Sequence, residues 1–148
     1  MKQQIIILKY QKSFKMESIV RIIEGKFCRS EIQFKKTFLN TNYPVKFNDS
    51  FNKDEKLIIY YVESADYSWY LTNKRIIVEE NIKKLNIFFN DVVRVDFINI
   101  KNQLSAKTNN RELDLITKDE SFVIKFEENS WHVFYNIIKF LINNKTKI

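Results

Sequence analysis

The residues of this 148-residue chain that could do acid–base, nucleophilic or metal chemistry are few: one histidine, one cysteine and four adjacent carboxylate pairs. His132 follows Trp131 in an apolar C-terminal segment, with no second histidine and no neighbouring cysteine to complete a metal site or catalytic pair. Cys28 has no histidine near it in sequence, and free cysteines favour interiors, so it reads as a small buried hydrophobe. Asp54-Glu55, Glu79-Glu80, Asp119-Glu120 and Glu127-Glu128 sit at strand ends and turns. Neighbours on a strand point to opposite faces, so these are not acid–base dyads but solvated turn charge. One glycine is too few for a glycine-rich phosphate loop or dinucleotide fingerprint. The expectation is a non-enzyme with no catalytic residue, no metal and no cofactor.

Binding chemistry has more material. Lys74-Arg75 follows Thr72-Asn73 in a polar interruption between two apolar runs and could form an anion site at a hairpin tip. In the alternative reading Lys74 is a solvated turn residue and Arg75 lies along the sheet with its head in water. Lys9, Lys12, Lys15, Lys35 and Lys36 are further candidate anion contacts. Of the net charge of +7, a balance of +6 lies in residues 1–56, which hold twelve of the 25 Lys/Arg and six of the 18 Asp/Glu. A basic arm can attract phosphates or anionic lipid. However, Lys, Asn, Ile, Phe and Tyr are all abundant while Gly and Pro appear once each, the pattern that A/T-rich codons impose without selection for binding. The single cysteine excludes an internal disulfide and fits a reducing compartment. The run Ile5–Leu8 is shorter than the roughly 7–15 residues of a signal core or the roughly 20 of a membrane span, and Lys9 and Lys12 interrupt it. A cytoplasmic location is the expectation.

These residues must be positioned by the elements around them. Met16, Ile19, Val20, Ile23 and Phe27 recur at helical spacing and predict a helix within 13–40, with Gly25 as a C-terminal cap and Ser30-Glu31-Ile32-Gln33 as a capping box for a second start. In the rival reading Ile32, Phe34 and Phe38 belong to a strand; residues 4–8 fit either element. Pro44 and the polar residues to Glu55 mark a break. Seven strands follow, at 57–62, 67–72, 75–79, 84–89, 93–97, 112–117 and 121–127, with a polar loop at 101–110. Asn73 is expected to supply the positive φ of a two-residue hairpin turn. In the last strand Phe122, Ile124 and Phe126 point inward and Lys125 outward. Asn129 or Ser130 can cap a final helix with a stripe of Trp131, Phe134, Tyr135, Ile138, Leu141 and Ile142.

On Asp54-Glu55-Lys56-Leu57, Leu71-Thr72-Asn73-Lys74-Arg75-Ile76, Ile87-Phe88-Phe89-Asn90-Asp91-Val92, the strand Phe122 to Phe126 and the closing helix, residues 54–143 resemble a bacterial PH-like domain of the GRAM/PH superfold. The resemblance implies a mainly β fold: a split antiparallel barrel of about seven strands, capped by a C-terminal helix. It also implies a non-enzymatic module, since eukaryotic PH and GRAM domains bind phosphoinositides or proteins. The expected organisation is a basic, helical segment over residues 1–53, packed on a barrel over 54–148. The first loop of that barrel, Glu63-Ser64-Ala65-Asp66, is acidic and would repel a phosphate.

Two further apolar sets look surplus to a single core. Half of the aromatics at 60–70 must point outward if the strands alternate, and Val133, Ile137 and Phe140 flank the helix stripe. Tyr60, Tyr67, Trp69, Val133, Ile137 and Phe140 are therefore the predicted surface for a protein partner or self-association. Acidic lipid or nucleic acid at the basic residues is the alternative. No small-molecule substrate is expected.

Overall fold

The computed structural model describes residues 2–47, 50–98 and 111–144, and of residues 2–14 the helical backbone alone. The chain is mainly β. Helix α1 (Lys2–Cys28) leads into strands β1 (Thr37–Leu39), β2 (Leu57–Ser64), β3 (Tyr67–Thr72), β4 (Arg75–Glu80) and β5 (Lys83–Phe88). A single 3-10 turn (Phe89–Asp91) turns the corner into β6 (Val92–Phe97), β7 (Glu112–Thr117) and β8 (Ser121–Lys125), and helix α2 (Trp131–Asn143) follows. The strands form two antiparallel sheets, β1-β2-β3-β4-β5 and β6-β7-β8. No described strand pairs across the two sheets, so no backbone ladder among the described strands closes a barrel. Side chains bridge them instead: Lys125 N–H donates to the Tyr67 hydroxyl at 2.8 Å, and Trp69 Nε1–H donates to the Lys125 carbonyl at 3.0 Å.

The core lies between the sheets and α2. Trp69 is fully buried, packed edge-on against Phe126 and Phe134 with centroids 5.3 and 5.1 Å away. No Gly or Pro interrupts residues 131–143, and Val133, Phe134, Ile137, Ile138, Leu141 and Ile142 recur at helical spacing, all of them buried. At about 1.5–3 kcal/mol per buried large side chain, this stripe anchors the helix. It is broader than the sequence stripe: Val133 and Ile137 belong to it, while Trp131 and Tyr135 are half-buried and pack on Phe97. α1 covers part of α2 and the core through Ile19, Val20 and Ile23, and the stacked pair Phe27–Phe34 leans on Phe134.

The N-terminal region departs from expectation. α1 runs past Gly25 to Cys28, so Gly25 is not a cap; Ser30 Oγ donates to the Phe27 carbonyl at 2.7 Å and closes the helix. Because that hydroxyl is turned back on α1, no second helix starts at Ser30, and Glu31 takes a left-handed φ of 61°. The strand alternative holds only at Thr37–Leu39, which adds an eighth strand beside β2. Cys28 is exposed, because the helix turns its buried face through Ile19, Val20 and Ile23 and leaves position 28 outside it.

Candidate functional site

The predicted partner surface is not a surface of this chain. Trp69 and Ile137 have no exposed area, Val133, Tyr60 and Tyr67 are buried, and Phe140 is half-buried under Lys26 of α1. Alternation along the strands is intact, but the five-stranded sheet is covered on both faces over most of β2, β3 and β4, while β5 stays exposed at five of its six positions. Its inner face meets the core. On its outer face the row Phe38–Tyr60–Tyr70–Ile77 is roofed by the segment after β1: Tyr43 packs on Phe38, Phe47 lies 4.3 Å from Tyr70, and Tyr60 donates to the Tyr43 carbonyl at 2.8 Å. The aromatics of this outer row are thus taken up by Tyr43 and Phe47, with Phe51 stacked on Phe47.

The hairpin at Lys74-Arg75 is a structural knot and not an anion site. Asn73 is fully buried and keeps a negative φ. Its Oδ1 accepts from Lys56 N–H at 2.8 Å and its Nδ2 donates to the Asp54 carbonyl at 2.8 Å. Thr72 Oγ1 accepts from the backbone N–H groups of Lys74 and Arg75 and donates to Glu55. Both predicted cations are neutralised: Lys74 Nζ lies 2.7 Å from Asp54 Oδ2, and Arg75 Nε 2.9 Å from Glu55 Oε2. Side chains, not a positive φ, make this turn. The left-handed pair falls instead in the next hairpin, at Asn81 (φ 55°) and Ile82 (φ 81°).

Polar groups do converge in a groove of about 420 Å³ between the start of β1, the end of β2 and the β8–α2 junction. Its floor is an ionic network. Arg111 donates from Nη2 to the Tyr61 hydroxyl and to Glu63 Oε1, both at 2.8 Å, and from Nε to the Phe126 carbonyl at 3.1 Å. Lys125 Nζ approaches the other Glu63 oxygen at 3.4 Å. Burial alone would push the Glu63 carboxyl up, but the Arg111 hydrogen bond and the Lys125 charge outweigh it and hold it below the ordinary value. Burial would pull Arg111 down, and Tyr61 and Glu63 hold it above its ordinary value. Burial raises the Tyr61 hydroxyl despite the opposing Arg111 charge.

One wall is a carboxylate seated on backbone donors. Glu127 accepts from Lys35 N–H at 2.8 Å, Lys36 N–H at 2.7 Å and the Thr37 hydroxyl at 3.0 Å, which ties the entry to β1 onto the entry to α2. That leaves the exposed ammonium groups of Lys35 and Lys36 on the rim, Lys36 Nζ reaching the Glu63 carbonyl at 3.3 Å. Glu128 is the exposed acidic rim, 3.9 Å from Arg111 Nη1. Asn129, left-handed at φ 65°, turns the chain into α2; Ser130 caps by backbone alone, its hydroxyl given to the Glu127 carbonyl at 2.6 Å.

Of the sequence-predicted anion contacts, the structure brings only Lys35 and Lys36 to this groove. Lys15 is exposed on α1, and the Lys9 and Lys12 side chains lie outside the described residues, as does the predicted loop 101–110. Arg111, Tyr61 and Glu63 went unread as site residues because their partners are 48 to 50 positions away in sequence. His132 is exposed, and no group of three or more His, Cys, Asp or Glu is placed to hold a metal among the described residues. No described helix is long and apolar enough to cross a membrane. Comparison with protein-family models, with curated proteins and with solved structures finds no match.

Proposed function

We propose that the chain is a PH-like, non-enzymatic binding module that takes a polypeptide partner in the Arg111 groove. The split-barrel reading is supported by seven antiparallel strands in the order 57–125, a corner at Phe89–Asp91 and a helix plugging the gap between the sheets; β1 and α1 are additions to that plan. The observation that carries the function is the charge of the groove. Lys35, Lys36 and Arg111 stand among Glu63, Glu127 and Glu128, three cations and three carboxylates around Ile32 and Tyr61. A polypeptide offers both signs, backbone donors and acceptors, and apolar side chains to such a lining. A multivalent phosphate on the two lysines would meet Glu127 and Glu128. The acidic and basic groups on the floor are committed to one another, as in a recognition surface, and not poised for proton transfer.

A photo-crosslinking amino acid at the exposed Gln33, compared with one at the exposed Lys118 on the β7–β8 turn, tests this reading. The expected result is a discrete protein adduct from Gln33 that disappears with Lys35→Glu and with Arg111→Gln. Absence of a protein adduct would overturn the reading. So would binding to acidic vesicles or DNA that weakens steeply with salt and is lost with Lys35→Glu, which would favour the anionic-surface alternative.

A further inference from the structure

The hydrogen-bonding capacity of the groove is unevenly spent. A guanidinium has five N–H groups. In Arg111, Nε–H goes to the Phe126 carbonyl, and the two hydrogens of Nη2 go to the Tyr61 hydroxyl and Glu63 Oε1. Nη1 makes no hydrogen bond among the described residues. It faces Glu128 Oε1 at 3.9 Å, beyond hydrogen-bond length, and that glutamate side chain is 75% exposed. The ammonium of Lys35 has no hydrogen-bond or ion-pair partner among the described residues, and that of Lys36 gives one hydrogen to the Glu63 carbonyl. The carboxylates are the reverse case. Both oxygens of Glu63 and both of Glu127 already accept hydrogen bonds. What the lining has left over is donors, so its ligand must bring acceptors.

We propose that the polypeptide taken by this groove is anchored by one Asp or Glu side chain, seated on Arg111 Nη1 in place of Glu128, with the Lys35 ammonium as the second unspent cation. The inference rests on the reading given above and narrows it to an acidic segment. Glu128 marks the place: it is a carboxylate of this chain standing opposite Nη1 without reaching it. Charge selects the same ligand. With Glu128 turned out to solvent, Lys35, Lys36 and Arg111 face Glu63 and Glu127, three cations against two carboxylates, an excess of one positive charge. A single carboxylate balances that excess. A phosphate dianion exceeds it and stands against Glu127. A C-terminal carboxylate is the poorer fit, because such groups are captured by nests of backbone N–H. The paired N–H groups here, those of Lys35 and Lys36, already hold Glu127. Side-chain donors are what remains, and they suit an acidic side chain.

Fluorescence anisotropy of the full chain with labelled peptide mixtures tests the proposal. Each mixture is acetylated and amidated at its ends, carries random uncharged residues, and has one fixed central residue: glutamate, glutamine or phosphoserine. A fourth mixture has central glutamine and a free C-terminal carboxylate. The glutamate mixture is expected to bind about tenfold tighter than the glutamine one, the weight of a charge-assisted hydrogen bond, and tighter than the other two. Glu128→Gln, at an exposed position, should tighten the glutamate mixture about two- to fivefold by removing the carboxylate opposite Nη1, and leave the glutamine mixture unchanged. Arg111→Gln and the exposed Lys35→Glu should each erase the difference between glutamate and glutamine; the second holds the test open where the first fails to fold. Glutamate and glutamine mixtures that bind alike, or neither binding, overturn the proposal. So does tighter binding of phosphoserine or of the free C-terminus, or a Glu128→Gln variant that leaves the glutamate mixture unmoved. The two readings fail separately. A Gln33 adduct without a glutamate preference overturns the acidic anchor alone, whereas an absent adduct removes the polypeptide reading beneath it.

Discussion

Removing the Glu55 carboxylate is the sharpest perturbation of this fold. Glu55 and Arg75 form an ion pair with side chains 3% and 11% exposed, and Glu55 also accepts from the Thr72 hydroxyl at 2.8 Å. Glu55→Ala strands a guanidinium between Phe51 and Phe88, with Asn86 Oδ1 at 2.9 Å as its best remaining acceptor. Breaking one side of a buried pair costs about 3–5 kcal/mol; the Asn86 contact and the partial exposure of Arg75 put this case near about 3 kcal/mol. For a chain of this size that is a fall in Tm of roughly 6–12 °C. Arg75→Ala should cost a similar amount, by leaving the carboxylate with Thr72 alone. The double variant should cost little more than either single one, because the charge left behind is itself the penalty, so a coupling of about 2–3 kcal/mol is expected. Urea unfolding of the four proteins, with unchanged m-values, gives the cycle. A Glu55→Ala cost under about 1 kcal/mol, or costs that simply add, would refute the claim that this knot is a buried, mutually dependent pair.

Three further outcomes are expected. Ile82 is a β-branched residue with φ 81° and its side chain fully exposed, so Ile82→Gly should stabilise the chain by about 1 kcal/mol in urea unfolding. Burial pushes the Tyr67 hydroxyl up to about 12, against a backbone hydrogen bond from Lys125 that opposes it. A raised pKa favours the neutral form in the folded state, so its contribution of roughly 2–3 kcal/mol is fully present below pH 10 and is lost as pH rises from 10 to 12. Tyr67→Phe should flatten that alkaline slope and remove a step near pH 12 from the tyrosinate absorbance of the native protein. Cys28 is exposed, so a thiol reagent should modify the folded protein at the rate it modifies the same chain in urea; protection of more than about tenfold would contradict its placement.

Local patterns carried much of the fold. Alternation at Phe122–Phe126 and helical spacing at 131–142 each depend on side-chain directions within one element, so strands β2 to β8 and α2 were legible to within a residue or two. The N-terminal region was harder, because Gly25 and Ser30 are ambiguous signals that only the Ser30–Phe27 hydrogen bond resolves. Asn73 was legible as a turn residue and misread in mechanism, since its partners at Asp54 and Lys56 lie 17 to 19 positions upstream.

From residue 57 onward the amino-acid order by itself determined which segments are strand or helix and which of their faces are apolar, because both follow from residue size, polarity and backbone period. What covers each face was decided by tertiary structure alone. Tyr43 and Phe47 roof one aromatic row, α1 overlies part of α2, and Arg111 reaches Glu63 and Tyr61 across some fifty positions. An apolar face is the same in sequence whether water, a loop or a partner lies against it; only the path of the chain says which.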